Sequence, residues 1–81
     1  MTEAEVTNLI LTIVKPLVEN PDDVRVGQKQ DDHYVYFELS VNADDIGRII
    51  GKHGQVAQAI RTIIYGVRLA SSKRVRLNIL D

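Results

Sequence analysis

Residues 34–41, YVYFELSV, put Val35, Phe37, Leu39 and Val41 on one side of an extended chain and Tyr34, Tyr36, Glu38 and Ser40 on the other. Strict alternation over eight positions has the period of a half-buried strand and not that of a helix. One face of this strand is apolar and the other amphipathic, so the chain must supply a layer that covers one side only. Upstream, VRVGQKQ (24–30) followed by DDH (31–33) supplies an antiparallel partner and a short turn, making a hairpin.

Helical periods account for the covering layer. Thr2 and Glu5 form a capping box at the start of a helix whose apolar side is Val6, Leu9, Ile10, Ile13, Val14, Leu17 and Val18. Pro16 falls inside that stripe; it lacks an N–H and crowds the carbonyl of Thr12, which predicts a kink or a weakened last turn. ENPDD then ends the element. Asn42, with Asp45 three residues on, suits the start of a second helix buried through Ile46, Ile49 and Ile50, and its acids suit the positive end of the dipole. From about Gln55, the residues Val56, Ala59, Ile60, Ile63, Ile64 and Val67 restore the helical period, and Gly66 is expected to permit close helix packing. Val75, Leu77 and Ile79 alternate with Arg74, Arg76 and Asn78 as a third strand with a basic outer side. The expected fold class is α+β in the order αββααβ.

Size and charge narrow the function. A chain of 81 residues is expected to form a single domain over 1–81, whose core buries about two thirds of its surface and leaves little room for a deep catalytic pocket. The 44% hydrophobic and 26% charged composition is that of a globular domain. There is no cysteine, which removes disulfides and thiolate chemistry and fits a reducing cytosol. MTEAEV has no basic leader character and no apolar run approaches the roughly 20 residues of a membrane span, so a soluble, cytoplasmic protein is expected. Charge is divided unevenly: residues 1–45 carry ten acids and three bases, residues 46–81 seven bases and one acid. Such asymmetry points to an anionic partner for the second half, against the plainer reading of a solvated helix face.

IGRIIGKHGQ (46–55) brings the chemistry together. Two helices joined by four residues leave the start of the second with unpaired amides, an end that attracts anions. Glycine at 51 and 54 lets a phosphate chain approach those amides and Lys52, where side chains would hold it away. A Walker loop requires four residues between its first glycine and GK and a hydroxyl after the lysine; here three residues separate Gly47 from Gly51 and His53 follows Lys52. A dinucleotide fingerprint needs glycine where Ile49 stands. Both are excluded.

RIIGKHGQVAQAI in this element order resembles the KH-domain family, in its bacterial, type II form. The likeness runs from NPDDV through GRIIGKHG to IRTII and the last strand, essentially the whole chain. It implies a three-stranded mixed sheet with three helices on one face, and a GxxG loop that clamps about four nucleotides of single-stranded RNA. It implies that Gly51, Lys52, His53 and Gly54 hold phosphates, with Gln55 opening the next helix, Ile49 and Ile50 near a base groove, and Arg48 and Arg61 as basic neighbours. Ala57 departs from the bulky aliphatic residue many KH domains carry three after the second glycine, which leaves base preference open. The resemblance also implies self-association and pairing with a second, larger KH-containing protein, as a post-transcriptional regulator or RNA chaperone in control of cell-wall growth and division.

Each residue has a plainer reading. Gly51 serves equally as a helix C-cap, Gly54 as a turn residue, and Lys52 and His53 as exposed loop residues. DDH is read as a tight turn before a metal site. Tyr34 and Tyr36 are read as cross-strand packing or a protein contact before a base-stacking platform. No enzyme and no cofactor are expected, because the two histidines have no nucleophile or carboxylate constellation. The rival from another class is a dimerising scaffold using Tyr34, Tyr36, Leu69 and Leu80 as an exposed apolar patch. A helix-hairpin-helix motif for duplex DNA is disfavoured by the flanking strands.

Overall fold

A computed structural model describes residues 1–80. The elements follow the expected order: α1 (Glu3–Val14), β1 (Arg25–Gln30), β2 (Tyr34–Ser40), α2 (Ile46–Ile50), α3 (Gln55–Tyr65) and β3 (Arg74–Ile79). The sheet runs β1-β2-β3, with β1 antiparallel and β3 parallel to the central β2. The three helices lie on one face, and one core joins Val6, Ile10 and Val14 of α1, Ile49 of α2 and Ile60 and Ile64 of α3 to Val35, Phe37 and Leu39 of β2 and Val75 and Leu77 of β3.

The capping box forms in both directions: Glu5 N–H donates to Thr2 Oγ1 at 3.2 Å and Thr2 N–H to Glu5 Oε1 at 2.9 Å. Pro16 ends α1 at Val14, and Lys15–Leu17 tightens into a 3-10 turn. Leu17 is swung out of the stripe and left exposed.

Several burial expectations change in three dimensions. On α3 the line against the sheet is Ala57, Ile60 and Ile64, while Ala59 is exposed and Ile63 is 52% exposed. Steps of three and four from Ile60 reach both flanks of a helix, and a narrow sheet covers only one of them. Leu69, expected outside, is 5% exposed and joins the core, in a loop held to the start of the chain by Met1, whose amine donates to Arg68 O at 2.7 Å and whose carbonyl accepts from Ala70 N–H at 2.9 Å. Within α2 only Ile49 is fully buried; Ile46 and Ile50 are half-buried. A Cβ at Gly66 would meet only carbonyls of Thr62 and Ile63, at 3.8 and 3.5 Å, so no neighbouring helix demands glycine there.

Asn42 caps a 3-10 turn, Ala43–Asp45, and not α2: its Oδ1 accepts from Asp44 N–H at 2.8 Å. Asp45 is 1% exposed and has another task. Its carboxylate accepts from the amides of Glu19 and Asn20 at 3.1 and 3.0 Å and from the Asn20 side chain at 3.1 Å, and it pairs with Arg48 Nε at 3.3 Å. Burial pushes this carboxyl up, but the Glu19 and Asn20 donors and the Arg48 charge outweigh it and hold it below the usual aspartate range. The segment after α1 is thereby tied to the start of α2.

Candidate nucleic-acid interface

The loop between α2 and α3 is a single 3-10 turn, Lys52–Gly54, bounded by two glycines in different conformations. Gly51 has φ 73° and ψ 175°, a region open essentially to glycine alone. A Cβ there would lie 2.8 Å from Val56 Cβ and 2.9 Å from Val56 N, so glycine at 51 is required for the loop to seat on the first turn of α3. It also closes α2, its N–H donating to Gly47 O at 2.9 Å. The C-cap expectation is met in position, but the residue does not adopt the left-handed helical conformation expected of a cap.

Gly54 does adopt it, with φ 75° and ψ 14°, and nothing lies within 4 Å of where its Cβ would stand. His53 is left-handed as well, at φ 56° and ψ 24°, a conformation in which histidine is enriched but a branched residue is not. Two successive left-handed residues bring the chain sharply around and leave Lys52 and His53 exposed at its tip. Not every amide at this end is free. Gly54 N–H donates to Gly51 O at 3.1 Å, and Gln55 N–H donates to Lys52 O.

The remaining sequence candidates divide. Gln55 is exposed at the loop and Ile50 is half-buried beside it. Ile49 has no exposed surface and anchors α2 in the core, so its side chain cannot line a groove. Arg48 is one turn before the loop but is committed to Glu19 Oε1 at 2.9 Å and to Asp45. Arg61 stands further along α3 and turns toward β3, its Nε donating to Leu77 O at 3.4 Å.

Tyr65, one turn beyond Arg61, accepts from Leu77 N–H at 3.4 Å. The two side chains together close the outer edge of β3 at Leu77. Neither contact was legible in the sequence beyond their separation of four, which puts both on one side of a helix. A hollow of about 500 Å³ lies beyond Tyr65, bordered by Arg68, Lys73, Arg74 and Arg76 and by no acid. In the 31–33 turn, Asp31 accepts from the amides of His33 and Tyr34, each at 2.8 Å, and from Tyr36 Oη at 3.0 Å, so its oxygens are taken up by the hairpin. Those amides, His33 first, hold its carboxyl below the usual range.

Comparison with known proteins gives a consistent result. The family model described as KhpA/KhpB, KH domain, matches residues 7–79. The chain is 53% identical over 78 residues to the RNA-binding protein KhpA of Lactiplantibacillus plantarum, covering 96% of this chain and 92% of that one. It is 47% identical over 73 residues to KhpA of Listeria monocytogenes, covering 90% and 96%, and 43% identical over 81 residues to KhpA of Bacillus subtilis, covering both chains completely.

Proposed function

The chain belongs to the KhpA/KhpB KH-domain family, and on that premise we propose that it binds single-stranded RNA, with the sugar-phosphate backbone lying against the 51–54 loop. The observation that carries this reading is the pairing of an open approach at Gly54 with an exposed cation at Lys52 that has no salt-bridge partner among the described residues. A phosphate drawn there meets positive charge without displacing a side chain. Gly51, Lys52, His53, Gly54 and Gln55 make the primary contact. Ile50 offers the adjoining apolar surface, and Arg48 and Arg61 contribute by releasing their internal partners.

Contact with about three or four phosphates implies modest affinity that weakens with salt by about 0.7 log unit per phosphate. The same proposal includes a single KH unit over the whole chain, a cytoplasmic RNA regulator or chaperone without enzymatic activity, and partnership with a KhpB-type protein in cell-wall growth and division. Family membership supports these roles.

Gly54→Asp is the direct test. Aspartate tolerates the left-handed conformation and has room at this position, so the variant folds, while its carboxylate repels phosphate. The expected outcome is at least about a tenfold loss of affinity for a uridine oligonucleotide, equivalent to about 1.4 kcal/mol, with a small change in melting temperature. Unchanged binding by this folded variant would place the RNA elsewhere.

A second reading, a dimerisation or scaffold module, is favoured by Ile63, 52% exposed midway along α3. Sedimentation with and without RNA separates the two: a dimer that ignores RNA supports the scaffold.

A further inference from the structure

The face of the sheet turned away from the helices carries an arrangement that the loop does not use. Tyr34 and Tyr36 both project there from β2, half-buried, with ring centres 5.8 Å apart. Arg76 stands beside Tyr36 in the parallel register. Its guanidinium lies over the Tyr34 ring at 5.2 Å and over the Tyr65 ring at 5.5 Å. Four planar groups therefore follow one another, Tyr36, Tyr34, Arg76 and Tyr65, from the middle of the sheet across β3 to the end of α3. Cations flank them: Lys29 is paired in register with Tyr36, Arg74 with Tyr34, and the acid-free hollow of Arg68, Lys73 and Arg74 lies at the Tyr65 end. Of the nearby acids, Asp31 is occupied inside its turn and Glu38 by Lys29 at 3.7 Å, while Asp32 is exposed beside Lys73 and Arg74, two cations to its one negative charge.

Flat faces interleaved with positive charge complement a polyanion that carries flat bases. They complement an apolar protein surface less well, because of the two aliphatic residues expected to widen this patch Leu69 is buried and Leu80, 43% exposed, is left without it. The Arg76 contacts also hold Tyr34 and Tyr65 in place, so little side-chain freedom is lost when a base stacks. We propose that the open face of the sheet is a second surface for single-stranded RNA, on which bases stack along Tyr36, Tyr34, Arg76 and Tyr65 while Arg74, Lys73 and Arg68 meet phosphates. For its ligand this rests on the RNA reading above, but it uses none of the loop residues. The two surfaces lie at opposite ends of α3, about 16 Å apart along the helix axis. A short strand reaches one of them and a longer strand reaches both.

The test uses the full chain, uridine oligoribonucleotides of roughly four and roughly twelve residues, and the chain's own fluorescence. Emission comes from three tyrosines with no tryptophan to mask them, and all three lie on the proposed path. The longer strand is expected to quench tyrosine emission and to bind at least about tenfold tighter than the shorter one, since each base stacked on a ring adds to binding. A Tyr34→Leu, Tyr36→Leu double variant is expected to lose that gain and most of the quenching while keeping its affinity for the short strand. Arg76→Gln, which keeps all three tyrosines but removes the guanidinium that holds Tyr34 and Tyr65, serves as the second variant should the double variant unfold, and is expected to reduce the same gain. Gly54→Asp separates the surfaces: long-strand quenching that persists in this variant supports the sheet site even if the loop proves idle. Binding of the long strand without quenching, or a folded double variant that keeps the length gain, overturns the proposal while leaving the loop reading intact. Loss of self-association in the double variant with RNA binding unchanged overturns it in favour of a protein contact.

Discussion

The two faces of β2 differ by a single step along the chain, and that step separates two kinds of residue. Val35, Phe37 and Leu39 have no exposed surface, while Tyr34, Tyr36 and Glu38 between them remain half-open. The loop repeats this division on a smaller scale, with Gly51 pressed against Val56 and Gly54 facing empty space. In both places the inner residue is constrained by packing and the outer one is available to a ligand; on β2 the residue types already differ, whereas in the loop both are glycine. A substitution on one side should therefore move stability, and its neighbour on the other should move binding.

Phe37→Ala gives the largest effect on the inner side. It removes a fully buried ring between β1 and β3 and is expected to destabilise the fold by about 3–5 kcal/mol, measured by urea unfolding, with RNA affinity preserved in the fraction that remains folded. Gly51→Ala follows. Its positive φ implies about 1–3 kcal/mol of backbone strain, with displacement of Val56 added, so the melting temperature should fall well below that of Gly54→Asp. Equal stability of the two variants would break the comparison at the loop.

Asp45→Asn comes next, because it removes the charge while keeping the shape of the buried clamp. The carboxyl of Asp45 is held below its ordinary value in the folded chain, so its ionised form stabilises the fold above the unfolded aspartate range, near pH 3.9. That contribution is lost as pH falls through the lower, folded value. The variant should melt several degrees lower at neutral pH and lose part of the parent's sensitivity to acid, followed by thermal unfolding from pH 7 to pH 2. Lys52→Ala is the smallest change and belongs wholly to the outer side. Its melting temperature should match the parent's, while the slope of log affinity against log salt should become shallower by about 0.7, the share of one phosphate.

Where the governing interaction is local, the sequence was sufficient. The Thr2–Glu5 box, the weakened last turn around Pro16 and the alternation of β2 all appear in the structure, since each depends on residues within a few positions, although α1 ends at Val14 and not at ENPDD. The loop was legible as a glycine turn between two helices for the same reason. The roles within it were not. That Gly51 is sterically required depends on the placement of Val56, and that Arg48 is already paired depends on Glu19, 29 residues earlier in the chain.

Element order, the starts of α1 and α3 and the alternating strand were determined by the sequence alone, because hydrogen bonding and side-chain direction repeat along the backbone with fixed periods. Only the tertiary structure decided that Ile63 is outside and Leu69 inside, that Asp45 fastens α2 to the segment after α1, and that Tyr36, Tyr34, Arg76 and Tyr65 form one line. Burial and pairing depend on which elements become neighbours in space, and no period within a single element carries that information.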